Sequence, residues 1–477
     1  MSVPVRFLIT VVAGAVLWFL PIPQGVTPQA WHLFAIMVAT ILGFILAPLP
    51  IGAMAFLGMT VAIFTKTLSM GVALSGFANG TIWMILAAFL FSRAFVKTGL
   101  GRRIALNVLS SIGDSTLKVS YALAISGLIV APATPSATAR AGGIIFPILR
   151  GICTALDSEP DRNPNRVGRF LVQTYYQTEP ILSAMFLTAM AANPLCATLA
   201  MQTAGVEITW MGWMIGAIVP GIASLLIIPA YMYFIGCPPE IKHSPEAKAL
   251  SQKQLAELGP MNQSEKYLAI IFVVALLLWC LDDMYVNISP ALKFMRLGAT
   301  LIALMAVCAM LVLGVLTWDE CLAERGGWDT FVWMGVLVMM AGQLSKMGFI
   351  SWFAKIISGA VSGMSWLVVL GILYLMFMYS QYAFASLTAH VAGLYAAFLA
   401  VAVGAGAPPM MSALLFAYTG CLCYSLTQYS SGPGPIFYGA GYFPIGAWWR
   451  IGFQTSIVHV LIWGTVGPLW WKILGHW

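Results

Sequence analysis

The stretch Pro135-Ser136-Ala137-Thr138-Ala139-Arg140 decides the fold, because a second copy of it lies further along the chain. That copy reads Ala385-Ser386-Leu387-Thr388-Ala389-His390, which places Ser386 at position 136 + 250. Other residues repeat at nearly the same offset, and they are Trp83-Met84 with Trp333-Met334, Lys97 with Lys346, Gly99 with Gly348, Gly143 with Gly393 and Leu149 with Leu399. Several anchors in one order indicate two related halves.

The repeat continues downstream. Ala191-Ala192-Asn193-Pro194 has a counterpart in Ser430-Ser431-Gly432-Pro433, at an offset of 430 − 191 = 239. Repeated halves with membrane segments interrupted by Gly and Pro are typical of a transporter binding site. The alternative is that Ser, Thr, Gly and Pro only mark helix packing and kinks.

Composition places the chain in a membrane. Of its 477 residues, 60% are hydrophobic and 8% are charged, whereas a soluble domain carries about 25% charged residues. We therefore predict an all-α polytopic membrane protein whose solvent is the lipid bilayer. The formal net charge of +7 does not indicate a nucleic-acid partner, because the basic residues lie in loops, where Lys and Arg set membrane topology.

Apolar runs long enough to span a membrane, about 20 residues, recur throughout the chain. We predict one integral membrane unit over residues 1–477. Its predicted parts are repeat one at 80–236, repeat two at 329–477, re-entrant hairpins near 134–150 and 383–402, and a cytoplasmic loop at 237–266. Amphipathic pieces at 102–114 and 351–363 follow two of the spans and are predicted to lie along the interface.

Ser136 and Arg140 lie four residues apart, so a helix places them on one face. Two prolines break the chain just before them, so a helix starting near Ser136 would present free N–H groups and its positive dipole end. Arg140 adds a permanently charged fork that suits a carboxylate. The second copy offers the same arrangement at Ser386, Thr388 and His390. Two such tips would grip both ends of a dianion.

The ionisable residues of these segments have structural alternatives. An Arg inside a membrane segment is costly and by default indicates function, but Arg140 could also pair with an acid or with helix carbonyls. His390 could bond only a backbone carbonyl. Glu179 lies in an apolar stretch and could be a proton site or a partner for Arg140 or Arg93. We interpret Glu179 as structural.

Patterns for catalysis and metal binding are missing from the sequence. There is no H-E-x-x-H, Walker A or paired metal-ligand spacing, and the eight cysteines are scattered. We predict no metal, no cofactor and no enzyme activity. A membrane-embedded enzyme stays a rival class, as does a channel, although two asymmetric hairpins argue against a symmetric pore.

At these motifs the chain resembles the divalent anion:sodium symporter superfamily. Within it, the chain resembles the exchanger branch of plastid 2-oxoglutarate/malate translocators and bacterial citrate/succinate and tartrate/succinate antiporters. The resemblance covers nearly the whole chain. The stretches that carry it are residues 135–147 (PSATARAGGIIFP), 186–194 (FLTAMAANP), 382–390 (YAFASLTAH) and 425–433 (SLTQYSSGP).

The resemblance implies two inverted-topology repeats, each with a re-entrant helical hairpin and a broken transmembrane helix. It also implies a homodimer in which a transport domain moves against a scaffold domain like an elevator. The substrate would lie between the hairpin tips and the broken helices. The expected substrate-binding residues are Ser136, Ala137, Thr138, Arg140, Asn193, Ser386, Leu387, Thr388, His390, Ser430, Ser431, Gly432 and Pro433.

The family signature at each tip is Ser-Asn-Thr, and this chain departs from it at Ala137 and Leu387. Neither side chain offers an oxygen, whereas bound sodium needs several oxygen ligands. Arg140 and His390 bring positive charge where the symporters bind cations, and an empty charged carrier would resist crossing a low-dielectric barrier. We therefore predict sodium-independent exchange of C4/C5 dicarboxylates: 2-oxoglutarate, malate, succinate and fumarate. The alternative is a sodium-coupled di- or tricarboxylate symporter.

The first apolar run ends in Pro21-Ile22-Pro23 rather than in a cleavage site, and no Arg- and Ser-rich transit peptide is evident. We expect a multi-pass protein of a bacterial inner membrane, with a plastid inner membrane as the weaker alternative. Both basic loops, 150–169 and 237–266, are predicted to face the cytoplasm.

Overall fold

The computed structural model describes residues 2–288, 296–360 and 363–477, without the side chains of 283–288, 354, 357, 358 and 360. In the first half the helices are α1 (Val3–Phe19), α2 (Pro28–Leu46), α3 (Ile51–Phe64), α4 (Met70–Leu74), α5 (Gly80–Thr98), α6 (Leu100–Ile112), α7 (Thr116–Val130), α8 (Phe146–Ala155), α9 (Gly168–Met185), α10 (Ala192–Ala204) and α11 (Trp210–Tyr231). In the second half they are α12 (Pro245–Leu258), α13 (Gln263–Ile288), α14 (Ala299–Val312), α15 (Trp318–Leu322), α16 (Arg325–Lys346), α17 (Phe349–Ala360), α18 (Trp366–Ser380), α19 (Leu387–Gly404), α20 (Pro409–Leu422), α21 (Pro433–Gly439), α22 (Ile445–Leu461) and α23 (Gly467–Ile473).

Local sequence signals set the bounds of the helices. At the start of α5, the Asn79 side chain accepts a hydrogen bond from the N–H of Thr81 (2.9 Å). At its end, Gly99 adopts a left-handed backbone conformation with a φ of 78°, which stops the helix. In the described part of the chain, eight helical segments of 18 residues or more, some of them a helix together with the short turn that continues it, are apolar enough to cross a membrane. The predicted all-α polytopic membrane fold is confirmed.

Helices α9 and α20 form the centre of the molecule and contact each other. Every residue of α9 from Phe170 to Met185 is buried, and α20 is buried from Met411 to Leu422. Several of the polar side chains of α9 bond to other parts of the protein, which offsets the cost of burying them. The Gln177 amide, for example, donates to the carbonyl of Ser425 (3.3 Å) and accepts from the Thr455 hydroxyl (2.6 Å).

Elements of the two halves contact one another in matching pairs. Within the halves, α7 packs on α9 as α18 packs on α20, and the turn at 131–133 contacts 187–189 as the turn at 381–383 contacts 423–426. Between the halves, α10 contacts α19, while α21 contacts the helical segment at 138–145. These matching contacts accompany the predicted repeat, which stays a prediction.

The matching order extends upstream of the predicted repeats. Helices α2 and α3 pack together as α13 and α14 do, and each pair reaches across to the other half, with α3 on α16 and α14 on α5. Helices α2, α3, α13 and α14 lie outside the predicted bounds of the repeats, 80–236 and 329–477, and those bounds stay a prediction.

The predicted hairpin bounds cover only half of each helix–break–helix unit. Residues 138–155 form one continuous helical limb, π-helical up to Ile145, and 387–404 form another. The other limbs are α7 and α18, so the units run from 116 to 155 and from 366 to 404. The prolines mark the break in each unit, whereas the apolar runs that we counted as spans supply the first limbs.

The predicted loop at 237–266 is partly helical. It contains α12, which packs on α6, the amphipathic helix that follows α5. Arg103 in α6 pairs with Glu265 (2.9 Å) and donates to the carbonyl of Gly259 (2.8 Å). This segment is therefore fastened to the helical bundle at both α6 and the start of α13.

Candidate functional site

The first tip lies between α7 and the limb that restarts at Thr138. Pro132 and Pro135 have no N–H to donate, and the residue before a proline disfavours helical backbone, so the helix breaks here. The Ser136 hydroxyl accepts a hydrogen bond from the N–H of Ala139 (3.2 Å) and caps the new helix. Ser136 is half-buried and Thr138 is exposed, so both side chains reach open space.

The second tip is built in the same way. Helix α18 ends at Ser380, a turn follows, and the Ser386 hydroxyl accepts from the N–H of Ala389 (3.4 Å) at the start of α19. Ser386 and Thr388 are half-buried. Leu387 is buried, and its N–H donates to the carbonyl of Ser430 (2.9 Å), which ties this tip to the second broken helix.

Asn193 holds the first broken helix together. Its amide nitrogen donates to the carbonyls of Ser183 (2.8 Å) and Phe186 (3.0 Å), at the end of α9. Its amide oxygen accepts from the thiol of Cys421 (3.0 Å) in α20. Asn193 is buried, so its amide connects backbone across the break rather than facing open space.

The second broken helix runs from the end of α20 to α21. Ser430 is buried, and its hydroxyl contacts that of Thr427. The half-buried Ser431 has its hydroxyl 3.4 Å from that of Tyr176, which in turn donates to the carbonyl of Thr427 (2.8 Å). Pro433 is buried at the start of α21, whereas Gly432 is exposed.

The first tip and the second broken helix meet at Thr138 and Gly432. A Cβ added to Gly432 would lie 1.9 Å from the Thr138 hydroxyl oxygen, so a larger residue there would force Thr138 to shift. The second tip and the first broken helix meet in the matching place, where α19 packs on α10. The second broken helix therefore contacts both tips, Leu387 at Ser430 and Thr138 at Gly432. We call the surroundings of these contacts the tip region.

Arg140 is wholly buried beneath the first tip, and all three nitrogens of its guanidinium donate hydrogen bonds to the protein. The guanidinium reaches Glu179 through Nε (2.9 Å) and Nη2 (2.6 Å), and the Ser183 hydroxyl through Nη2 (2.8 Å). Its Nη1 donates to the carbonyls of Thr134 (2.6 Å) and Ala189 (3.0 Å). Arg140 thus joins the first tip to both sides of the first break.

Glu179 neutralises Arg140, so the predicted uncompensated positive charge at this position is wrong. The pair carries no net formal charge, and neither side chain is exposed. An ion pair so deep in the protein is held by its many hydrogen bonds, because each charge alone would be costly there. Of the alternatives for Glu179, partnership with Arg140 is the one that the structure contains.

His390 takes the matching position below the second tip, and no acidic side chain among the described residues pairs with it. Its Nε2 lies 3.0 Å from the carbonyl of Phe377 and 2.8 Å from the Ser380 hydroxyl. Since a carbonyl only accepts, Nε2 carries the proton. Rings of Phe377 and Phe384 lie 4.5 Å and 5.1 Å from the imidazole, and the residue is buried. His390 therefore donates through Nε2 to the end of α18, across the turn of the second tip.

Comparisons with known proteins now decide the family. A family model described as the sodium:sulfate symporter transmembrane region matches residues 2–477. The chain belongs to this family. The predicted resemblance to the divalent anion:sodium symporters is confirmed, and this symporter-family protein is a multi-pass membrane transporter rather than an enzyme.

Relatives of this symporter-family chain cover it from end to end. It is 49% identical to YflS of Bacillus subtilis, whose name carries a provisional assignment as a malate transporter, over 99% of this chain and 97% of that protein. It is 42% identical to dicarboxylate transporter 1, chloroplastic, of Spinacia oleracea, over 98% of this chain and 81% of that protein.

Solved structures match the fold of the symporter-family chain at low identity. The YdaH transporter of Alcanivorax borkumensis has a TM-score of 0.57 and 13% identity, covering 99% of this chain and 97% of its own. MtrF of Neisseria gonorrhoeae has a TM-score of 0.58 and 13% identity, covering 98% and 94%. At such identity the likeness concerns the fold alone.

The predicted site residues of the symporter-family chain divide by exposure. Those that reach open space are Ser136, Ala137, Thr138, Ser386, Thr388, Ser431 and Gly432. Those that are buried are Arg140, Asn193, Leu387, His390, Ser430 and Pro433. The short motifs therefore contain two sets of residues, one exposed or half-buried in the tip region and one buried beneath it.

Sequence reasoning missed several residues that hold the tips. Thr134 and Ser183 accept from Arg140, and Tyr176 spans the second break. Gln381 donates to the carbonyl of Phe384 (3.1 Å) across the second turn. Three of the four occur in polar runs within apolar helices or directly before a proline, a pattern that marks backbone breaks in need of side-chain partners.

Proposed function

We propose that this chain exchanges C4/C5 dicarboxylates, among them 2-oxoglutarate, malate, succinate and fumarate, by sodium-independent antiport. Its relatives named for malate and dicarboxylates support the substrate class. The observation that carries the proposal is the set of hydrogen-bond donors at the two tips, and this set suits an anion with a carboxylate at each end.

Each tip offers backbone donors that nothing in the described residues accepts. The N–H groups of Ala137 and Thr138 at the first tip, and of Thr388 at the second, have no acceptor within the described chain. The hydroxyls of Ser136, Thr138, Ser386 and Thr388 lie beside them. Free N–H groups at a helix start bind anions, because the helix dipole adds positive potential there.

Sodium independence is supported by what occupies the carbonyl oxygens near the tips. Sodium, like other hard cations, prefers oxygen ligands, but the carbonyls of Thr134 and Ala189 already accept from Arg140. The carbonyl of Phe377 contacts His390 in the second half. Ala137 and Leu387 add no oxygen. Protein-borne donors thus fill positions that a cation would need.

Glu179 cancels the charge of Arg140, so a net positive charge on the empty carrier does not explain obligatory exchange. The unpaired N–H groups of the empty site can explain it. Unpaired N–H groups that cross a low-dielectric barrier cost free energy, and a bound dicarboxylate would satisfy them. The loaded carrier would therefore cross more readily than the empty one, which couples export of one dicarboxylate to import of another.

We assign the predicted site residues two roles. The exposed set, Ser136, Ala137, Thr138, Ser386, Thr388, Ser431 and Gly432, would contact substrate. The buried set, Arg140, Asn193, Leu387, His390, Ser430 and Pro433, would position the tips and breaks. Substrate contact by the guanidinium of Arg140 would require it to give up bonds to Glu179, Ser183 and two carbonyls.

We further propose that the two halves are inverted repeats and that their movement is elevator-like. The moving body would contain α7–α11 and α18–α23, and the scaffold would contain α2, α3, α5, α13, α14 and α16. The matched crossing contacts of α3 with α16 and of α14 with α5 support this division. A homodimer stays a prediction, which the mass of the purified detergent-solubilised protein would test.

The test is uptake of labelled 2-oxoglutarate into proteoliposomes. Internal malate or succinate is varied, and external sodium is replaced by potassium. We expect uptake only into loaded vesicles and no response to sodium. Sodium-dependent uptake into empty vesicles would instead establish the symporter alternative and overturn the exchange mechanism.

A glycine variant tests whether the tip region, where Thr138 contacts Gly432, binds the substrate. Gly432→Ala would force its Cβ against the Thr138 hydroxyl, and overpacking of this kind costs about 1–3 kcal/mol. If this cost falls on the transport step, we expect about a five- to 150-fold loss of exchange. Gly439→Ala, whose Cβ meets nothing within 4 Å at the end of the same helix, is the matched control. Equal exchange in both variants would exclude the Thr138–Gly432 contact from the transport path.

A further inference from the structure

A second cavity lies beside the limb of the first unit, away from the tips. It has a volume of about 470 Å³ and lies between the end of α5, α6, α8 and α12. Because α12 belongs to the loop predicted to face the cytoplasm, the cavity opens on that side. Its lining residues are Phe95, Val96, Lys97, Thr98, Gly99, Arg102, Gly143, Ile144, Pro147, Ile148 and Gln254.

The charged groups of this cavity are basic. The Lys97 ammonium lies 2.7 Å from the Glu320 carboxylate. Glu320 itself does not line the cavity. Arg102 is exposed, and its side chain has no hydrogen-bond or ion-pair partner among the described residues. The Gln254 side chain likewise has none and can donate through its amide nitrogen. The cavity thus presents a free guanidinium and a free amide, and no carboxylate lines it.

The cavity wall leads to the first tip. Gly143 lies in the π-helical segment, in which hydrogen bonds join residues five positions apart, so Thr138 is one turn above it on the same limb. Nothing lies within 4 Å of a Cβ built on Gly143. In the second half, the matching Gly393 has Ile41 at 3.0 Å. Thr138 and Gly143 are both exposed, so an open face joins the cavity wall to the first tip, whereas the second limb is packed at the matching glycine.

Resting on the proposed dicarboxylate exchange, we propose that this cavity is a cytoplasmic waiting site for the anionic substrate. Arg102 and Gln254 hold a dicarboxylate, and the open face of the limb guides it to Thr138. A basic cleft with low-dielectric walls raises the local concentration of an anion and its rate of association. The site therefore acts on substrate that arrives from the cytoplasm and not on substrate from the other side.

The test compares Arg102→Gln with Lys253→Gln, which removes the same charge from α12 next to Gln254 but outside the cavity lining. Exchange is measured in right-side-out and inside-out membrane vesicles. We expect Arg102→Gln to raise the half-saturating concentration about three- to tenfold on the cytoplasmic face alone. The rate at saturation stays unchanged, and the effect shrinks as ionic strength rises. Arg102→Lys retains most of the parent behaviour.

Several results overturn the waiting site. Equal effects of Arg102→Gln and Lys253→Gln mean that only general surface charge matters, and equal effects on both faces mean that the cavity has no sidedness. An effect confined to vesicles that contain anionic lipid assigns the cavity to a lipid headgroup. If the parent protein exchanges dicarboxylates and Arg102→Gln does so equally well, the waiting site alone is refuted. If the parent protein shows no exchange, the proposed function is refuted.

Discussion

The two helix–break–helix units solve one structural problem with different chemistry. The first unit holds its break with a buried ion pair, Arg140–Glu179, whose guanidinium also reaches the carbonyl of Thr134 within the break and that of Ala189 in the turn after α9. The second holds its break with the neutral imidazole of His390. Both provide donors to backbone oxygens that the breaks leave without helical partners. Two units with the same arrangement of helices can therefore differ in how much of their stability a single side chain provides.

The largest expected effect comes from breaking the ion pair on one side. Glu179→Gln would leave the Arg140 guanidinium buried without a counter-charge, which costs about 3–5 kcal/mol. We expect loss of exchange and a large drop in the melting temperature, measured by thermal unfolding in detergent. Arg140→Gln combined with Glu179→Gln should recover part of the stability. An unchanged melting temperature in Glu179→Gln would contradict the role of the pair as the fastener of the first unit.

The matched change in the second unit should cost less. His390→Leu removes one neutral donor from the carbonyl of Phe377 and the hydroxyl of Ser380, and loss of a buried hydrogen bond costs about 1–3 kcal/mol. No charge is left behind, so we expect a smaller drop in melting temperature than in Glu179→Gln. The comparison between the units fails if His390→Leu proves the more damaging of the two.

Much of this asymmetry lay beyond the sequence. Composition and apolar runs were sufficient for a helical membrane bundle, and the prolines near 132 and 135 located the first break, because these signals are local. The motif around Ser136 located the tips for the same reason. Which way Arg140 points depends on Glu179, 39 positions away, and no local pattern encodes that contact. The same holds for Tyr176, whose partner Thr427 lies in the other half.

The predicted hairpin bounds, 134–150 and 383–402, omitted the first limb of each helix–break–helix unit for a second reason. Prolines and glycines mark where a helix stops, but they do not tell which neighbouring helix folds back on it. The limb α7 has the length and hydropathy of a membrane span, so the sequence alone counts it as one. Only the contact of α7 with the segment at 138–145 pairs the two limbs.

The glycine pair Gly143 and Gly393 sharpens the comparison of access. Alanine in a helix is favoured over glycine by about 1 kcal/mol. Gly143→Ala meets open space and should keep or raise the melting temperature, whereas Gly393→Ala meets Ile41 at 3.0 Å and should lose that gain. Thermal unfolding of both variants checks this. A lower melting temperature for Gly143→Ala than for Gly393→Ala would mean that the first limb is packed and the second is open.

The smallest expected effect is a pH dependence at the joint between the halves. Arg150 in α8 donates to the Tyr442 hydroxyl of the second half (2.5 Å) and to Glu159 (2.8 Å). Hydrogen bonding from Thr154, together with the charge of Arg150, lowers the pKa of Glu159 below its ordinary value of 4.5. A lowered pKa in the folded state adds stability above the ordinary value.

That stability disappears as the pH falls through the lowered pKa, so Glu159→Gln should melt slightly below the parent at neutral pH and match it at acid pH. The group lies near water, so the difference should be small. Thermal unfolding of the parent and Glu159→Gln between pH 7 and about pH 3 measures it. A difference that stays constant over this range would show that the carboxylate charge does not stabilise the joint, and that Arg150 holds Tyr442 without help from Glu159.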